Sequence, residues 1–300
     1  MEATGYMGLE HAVVLGCPRS GTTFLMDALN CLPEAECMTG TLLPVAIPHV
    51  VNQPLPPEIY DALAVGFERS LDAYLHSGRY YSRAAALQKW VSTRGGAGGF
   101  LRLVQGRREA PRRIIYKEPF LAMAPDFVKR ALPEAKIIHI YRDGRDCADS
   151  LVRSYDVLSD DQLTHLRGSE MRLGRKYDHR YVPWWVEEGR ENEFISSTPY
   201  TRAIWMWKYM VRRCHDCFSK SGRAENQQVM LLRYEDLMRE PAAYGAAVLE
   251  HLGLEPSAAF MRRVRHAHTQ SIGKYKRRDP DEIRVAERVA GDELALYGYK

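Results

Sequence analysis

Val13, Val14 and Leu15 leave little choice of fold class. They form a short continuous apolar run, followed by the turn-like Gly16-Cys17-Pro18-Arg19-Ser20-Gly21. Thr22–Asn30 then carries a helical pattern with Phe24, Leu25, Ala28 and Leu29 on one side. A run of this kind predicts a strand buried on both faces, and such strands belong to parallel sheets covered by helices above and below. The rest of the chain follows suit. Arg113–Tyr116, Lys136–Tyr141 and Gln228–Leu232 are three more short apolar strands. Between them, helical patterns cover Glu58–Leu75, Ala84–Val91, Pro125–Leu132, a stretch from Arg145 past Ser150, Thr201–Phe218 and Ala242–Leu252, the last closed by Gly253. Strands alternating with helices argue for an α/β architecture. Three segments break the alternation. Pro44–Pro57 reads as a proline-rich connector without regular structure, Gly95–Gly99 as a mobile loop, and Asp156–Pro199 as an irregular, aromatic insert acting as a lid.

The glycine turn has a chemical meaning of its own. N–H groups at a helix N-terminus are unpaired within the helix and sit at its positive dipole end, so they cradle anions. Glycines at both ends let the backbone wrap closely, and Thr22 and Thr23 add hydroxyl donors. The spacing from Gly16 to Thr23 is that of a Walker A loop, except that the lysine position holds Thr22 and the cation is supplied by Arg19 instead. The expected fold is thus a P-loop-type three-layer α/β domain over residues 1–300, its central parallel sheet flanked by helices, with the lid insert at about 156–200.

Composition sets limits. The net charge is 42 − 38 = +4, and hydrophobic and charged residues make up 45% and 27%. That excludes a disordered, collagen-like or disulfide-scaffold chain, and no dedicated nucleic-acid binder is expected. A membrane partner is not expected either, since no stretch approaches the roughly 18 apolar residues of a span. Six cysteines without framework spacing point to reduced thiols and a cytoplasmic location. Cys214 and Cys217 form a lone C-x-x-C in a helical run, read as two small packed side chains rather than as a metal or redox site.

A second anion site lies downstream. Lys136–Tyr141 runs into Arg142, and Ser150 follows eight residues later, about two helical turns on. An arginine at a strand's carboxyl end points to the sheet edge where ligands sit in open α/β folds. A guanidinium with a hydroxyl suits a phosphomonoester.

Pro18-Arg19-Ser20-Gly21-Thr22-Thr23-Phe24 resembles the 5′-phosphosulfate loop of the sulfotransferases that use PAPS (3′-phosphoadenosine 5′-phosphosulfate). Its arginine is closer to the tyrosylprotein and bacterial branches than to the cytosolic steroid and phenol branch. Arg142…Ser150 resembles the family's 3′-phosphate motif. Arg233-Tyr234-Glu235-Asp236-Leu237 is similar to its Tyr-Glu-Asp-Leu stretch, and Ser271-Ile272-Gly273-Lys274 to the segment that folds back over the nucleotide. The resemblance implies that Pro18, Arg19, Ser20, Gly21, Thr22 and Thr23 hold the 5′ end, and Arg142 and Ser150 the 3′-phosphate. It also implies that Tyr234 lies against the adenosine, that Ser271, Gly273 and Lys274 close the site, and that no metal takes part.

For catalysis, Arg19 and Lys117 are the cations expected to meet charge on the departing phosphate, Lys117 lying at a strand end in Tyr116-Lys117-Glu118-Pro119. A general base calls for His or Glu. The cytosolic branch carries a histidine two residues after the lysine, where this chain has Pro119. The tyrosylprotein branch carries a glutamate after the first helix, where this chain has Cys37–Thr41. Glu118, Glu36 and His49 are the candidates left, Glu118 being nearest the inferred centre, whereas His139 reads as a core residue. The expected activity is transfer of a sulfuryl group to a hydroxyl, or less readily an amine, of a small metabolite or glycan, by a chain compatible with a homo-oligomer. An ATP-dependent kinase and a nucleotide-binding module without catalysis are the alternatives.

Overall fold

The computed structural model describes residues 10–39, 46–76, 87, 90, 91, 101, 113–165, 174–219 and 227–300. In chain order the strands are β1 (Glu10–Leu15), β2 (Ala35–Thr39), β3 (Arg113–Lys117), β4 (Lys136–Tyr141), β5 (Gly174–Tyr177), β6 (Arg180–Pro183) and β7 (Val229–Arg233). The helices are α1 (Thr22–Leu29), α2 (Ala46–Val51), α3 (Pro57–His76), α4 (Pro125–Ala131), α5 (Gly144–Ser154), α6 (Asp160–His165) and α7 (Glu191–Ser196). They continue with α8 (Pro199–Ser219), α9 (Tyr234–Arg239), α10 (Pro241–Leu252), α11 (Ala258–Val264), α12 (Pro280–Val289) and α13 (Gly291–Leu296).

Among the described residues the main sheet has five parallel strands in the order β2-β3-β1-β4-β7. Side chains along β1 alternate between two cores. Val13 and Leu15 join Tyr116, Ile137, Phe67, Phe127 and Trp207 on one face, while Ala12 and Val14 join Ile115, Ile138, Leu25, Leu29, Leu249 and Phe260 on the other. Both faces are therefore dry and helix-covered, as the apolar runs require. α8 shows why its segment is helical. Tyr200, Ala203, Ile204, Trp207, Met210, Val211 and Cys214 recur at three- and four-residue intervals and are all buried. Cys214 and Cys217 lie within it as packed helical side chains, Cys214 buried and Cys217 half-buried. No described helix is long and apolar enough to cross a membrane.

Three expectations about local structure change. β2 is a strand that sequence patterning does not announce. It pairs only with β3, at the sheet edge, and its Glu36 and Thr39 break the apolar run by which the inner strands are recognised. Residues 46–51, inside the expected connector, form α2, where Pro48 falls in the first turn and its missing N–H costs no helical bond. The segment expected to be irregular carries α6, the β5–β6 hairpin and α7. These elements of four to six residues are too short to show a period. Buried Arg202 of α8 organises them, donating to the carbonyls of Leu158, Phe194 and Ile195 and to Asp160. The expected loop Gly95–Gly99 lies outside the described residues. So does most of Ala84–Val91, of which Leu87, Trp90 and Val91 are described, as helical.

His139, at the middle of β4, is wholly buried with neither ring nitrogen bonded, among the rings of Tyr141, Phe218 and Tyr297. It is a core residue. Burial disfavours its charged form and pushes its pKa from 6.5 down to about 3. Between those two values the unfolded chain binds a proton that the folded chain refuses, so stability falls as pH drops from 6.5 toward about 3. His139→Phe is expected to flatten that acid limb, measured as Tm against pH. An unchanged slope would assign the acid sensitivity to other groups.

Candidate active site

Parallel strands deliver all their carboxyl ends to one edge of the sheet, and four of them end in residues singled out by the sequence. β1 runs into the Gly16–Gly21 loop, β3 ends at Lys117, β4 runs into Arg142, and β7 into Tyr234. From β1 the chain goes to the edge strand β2 and returns to β3 on one side of the sheet, then crosses to β4 and on to β7 on the other. The β1 and β4 ends therefore flank the topological switch point, where open α/β sheets hold ligands.

The β1 loop is tightly specified. At Gly16 (φ +154°) a Cβ would come within 2.1 Å of the Ile140 carbonyl oxygen, and at Gly21 (φ +100°) within 2.5 Å of the Tyr234 ring. Arg19 also has a positive φ, +73°. Backbone strain of this sort gathers at ligand sites. Gly21 caps α1 without any side-chain hydrogen bond, and no acidic residue lies in the helix's first turn. The N-terminal donors of α1 thus face outward with their dipole unopposed.

Arg142 ties this loop to the rest. Its Nη1 donates to the Arg19 carbonyl at 3.0 Å, its Nη2 donates to the Ser271 carbonyl, and its guanidinium stacks 4.6 Å from the centre of the Tyr234 ring. Its nearest carboxylate, Asp146, stands off at 3.8 Å, and its buried Nε has no partner. Arg19 Nε donates to Ser150 Oγ at 3.0 Å, so the two expected anion sites meet. The Tyr234 and Ser271 hydroxyls are 2.7 Å apart. Asp146, buried on α5, accepts the N–H groups of Gly273 at 2.6 Å and Tyr275 at 3.1 Å, which hooks the C-terminal segment over the site.

These residues enclose a cavity of about 330 Å³. Of the residues expected to hold a nucleotide, Arg19, Gly21, Thr22, Thr23, Arg142, Ser150, Tyr234, Ser271 and Lys274 line it. Ser20 does not: it lies buried beneath the loop with its hydroxyl unbonded. Pro18 faces a neighbouring cavity instead, and Gly273 offers its N–H to Asp146. Phe24, Arg153, Ser154 and His268 also line the cavity and were not among the expected site residues. Arg153 was within reach of the sequence, being three residues beyond Ser150 on the same helical face. Four cations, Arg19, Arg142, Arg153 and Lys274, line this space, and no carboxylate does so among the described residues. It is built to hold anions.

A second cavity, of about 480 Å³, shares Arg19, Thr22 and Thr23 with the first and adds Lys117. Lys117 Nζ lies 3.5 Å from Thr23 Oγ1, at the shared wall. Burial lowers the Lys117 pKa, against the pull of the Glu118 and Asp27 charges. Of the three base candidates, Glu118 is used structurally. Its Oε1 accepts the Phe120 N–H at 3.0 Å as the cap of a 3₁₀ turn, burial raises its pKa, and it lines neither cavity. Glu36 is buried in β2 and already engaged. His49 packs its ring 5.7 Å from that of Trp184, a wall of the second cavity, and its buried Nδ1 is unbonded. Burial lowers its pKa, so the ring is neutral at pH 7 and able to accept a proton. No cluster of three or more His, Cys, Asp or Glu able to hold a metal occurs among the described residues.

Comparison with known proteins identifies the family. A model described as "Sulfotransferase family" matches positions 12–194. Among solved structures, a sulfotransferase domain from the curacin biosynthetic pathway is 16% identical, covering 97% of this chain and 98% of that one at a TM-score of 0.49. One from the olefin synthase of Synechococcus PCC 7002 is 18% identical, with 94% of each chain covered and a TM-score of 0.44. A sulfotransferase from Alicyclobacillus acidocaldarius is 17% identical over 96% of this chain and 92% of that one, with a TM-score of 0.46. Among curated proteins, none matches the sequence significantly.

The Asp146 hook has a direct consequence. Asp146→Ala removes the acceptor of two backbone donors, each such charge-assisted bond being worth about 1.5–3 kcal/mol. Amide exchange at Gly273 and Tyr275 is expected to speed up at least tenfold, while β1 and β4 stay protected. Uniform loss of protection would instead mean that Asp146 supports the whole fold.

Proposed function

Because the chain belongs to the sulfotransferase family, we propose that it moves the sulfuryl group of PAPS in line to an acceptor hydroxyl, or less readily an amine. One observation carries this reading. A cavity lined by Arg19, Arg142, Arg153 and Lys274 shares a wall of Arg19, Thr22 and Thr23 with a second cavity that holds Lys117. A nucleotide with phosphate at both ends suits that donor set. Arg142 and Ser150 hold its 3′-phosphate, and the α1 N-terminus, Gly21–Thr23 and Arg19 hold its 5′ end. Tyr234 lies against the adenosine, while Ser271 and Lys274 close over it, with Gly273 fixed by Asp146. PAPS supplies a sulfuryl group on a phosphate leaving group. The second cavity takes the acceptor, and the segment at 156–200, which contributes Val157, Leu158, Gln162, Pro183, Trp184 and Trp185 to its wall, acts as the lid.

In the transfer, the acceptor oxygen forms the new S–O bond as the bond between sulfur and the 5′-phosphate oxygen breaks. That oxygen keeps the electron pair, and Lys117 and Arg19 meet the charge that grows on it. The hydroxyl proton passes to a base. Glu118 has its carboxylate committed to the Phe120 N–H. His49 keeps a neutral ring with Nδ1 unbonded behind the Trp184 wall, outside the cavity lining, and is the candidate whose ring nitrogen is chemically uncommitted. Low cysteine content favours a cytoplasmic setting for this work.

The test is a thermal shift with PAP, the product nucleotide, against ATP with magnesium, followed by transfer assays. PAP is expected to stabilise the protein and ATP–magnesium is not; the reverse order would favour a kinase. Arg142→Ala removes two donors to one phosphate and should weaken PAP binding roughly 100-fold. Lys117→Ala should lower kcat by about 10²–10³ with little change in PAP affinity. Equal losses in both would deny Lys117 a role in the transfer, and PAP binding without transfer to any acceptor would favour a module that only binds.

A further inference from the structure

The second cavity is chemically one-sided. Its two cations sit at one end: Arg19 belongs to the wall shared with the nucleotide cavity, and Lys117 bonds Thr23 of that same wall. Away from it the lining is apolar, with Met123, Leu151, Leu158, Trp184, Trp185 and Met206 prominent. Among the described lining residues there is no carboxylate and no imidazole, and the one side-chain amide, Gln162, has its oxygen bonded to the Leu158 N–H at 2.9 Å. A sugar ring would bring hydroxyls all round its edge into this space. Away from the cationic end the polar partners are few donors: the Tyr155 hydroxyl, the Gln162 amide N–H groups and the indole N–H groups of Trp184 and Trp185. Most of the sugar hydroxyls would be buried unpaired, which is costly. An acidic peptide would find cations only at the reacting end. At about 480 Å³ the space lies within the roughly 300–1,000 Å³ usual for small-molecule sites.

The walls are also held in place. Trp184 packs edge-on to Tyr209 and Trp185 edge-on to Phe194. Leu158 shows the strongest local constraint. Its φ is +58°, a left-handed conformation that leucine rarely adopts and that glycine would hold without strain. Both of its backbone groups are fixed, the N–H by Gln162 and the carbonyl by the buried Arg202 Nη1 at 2.8 Å. A turn that needed only this backbone shape would be served better by glycine, so the side chain is what the strain retains.

Building on the sulfuryl-transfer reading, we infer that the acceptor is an uncharged, largely apolar alcohol or phenol. It enters with its hydroxyl toward Lys117 and Arg19 and its apolar body between the Trp184–Trp185 wall and Leu158. Leu158 is a specificity residue that sets how much apolar body the cavity grips.

The experiment is a tryptophan-fluorescence titration of the protein saturated with PAP, using 1-octanol, cellobiose and an acidic tyrosine-containing peptide as probes. Octanol is expected to half-saturate at a concentration at least tenfold below either of the others. Leu158→Ala and Leu158→Gly should each weaken octanol binding about tenfold, the effect of removing a few methylenes from an apolar pocket. Both should leave PAP affinity unchanged. Because Leu158 also packs on the main core while its φ is positive, Leu158→Gly should keep a Tm at or above that of Leu158→Ala, which separates loss of the side chain from loss of the fold. Cellobiose or the peptide binding as tightly as octanol, no saturation by octanol, or octanol binding indifferent to both variants would each overturn the inference. Those results with PAP bound leave sulfuryl transfer standing, whereas failure of PAP itself to bind removes the reading beneath it.

Discussion

Arg142 is the residue around which the site is assembled. Its guanidinium is buried, yet its direct bonds go to two backbone carbonyls, one in the β1 loop and one in the C-terminal segment. A neutral ring covers one face, and the nearest carboxylate stands 3.8 Å away. Buried charge that is solvated by dipoles and only loosely paired keeps an appetite for an anion. The same side chain therefore closes the structure and prepares it to bind. Trp207 supports it from below, donating Nε1–H to the Arg142 carbonyl at 3.0 Å, so the main core is coupled to the position of the site.

The parallel sheet explains why so few residues suffice. Because β1, β3, β4 and β7 all point the same way, their carboxyl ends lie side by side although they are far apart in sequence. β1 and β4 lead into residues that line the cation-lined cavity, β3 ends in the lysine beside its boundary, and β7 leads into the Tyr234 ring that also lines it. Two cavities sharing one wall then divide the labour. One is polar and cationic; the other is apolar, with its charges confined to the partition.

Beyond the sheet, the C-terminal part of the structure depends on buried polar groups rather than on propensity. Asp146 holds Gly273 and Tyr275 by their amides, and Arg202 holds Leu158, Phe194 and Ile195 by their carbonyls. Each satisfies backbone groups that irregular chain would otherwise leave unpaired away from water. These two side chains turn segments with weak local preference into walls of definite shape.

What the amino-acid order determined alone is whatever is written locally. β1, β4 and α8 were legible because burial on both faces or on one helical stripe leaves a periodic trace over many residues, and the β1 loop because its glycines, arginine and threonines are contiguous. Arg142 and Ser150 were legible as positions because one follows a strand's carboxyl end and the other lies two turns along the next helix; both line the same cavity, where Ser150 accepts from Arg19. Only the tertiary structure decided the rest. Nothing near Glu36 marks an edge strand, since all of its pairing comes from β3, more than seventy residues away in the chain. Nothing near Glu118 shows that its carboxylate turns to the Phe120 amide, nor does the sequence around His49 place that ring beside Trp184. The left-handed turn at Leu158 is likewise enforced by an arginine in a distant helix. Such features arise from contacts across the fold, and a local pattern carries no trace of a partner that has yet to arrive.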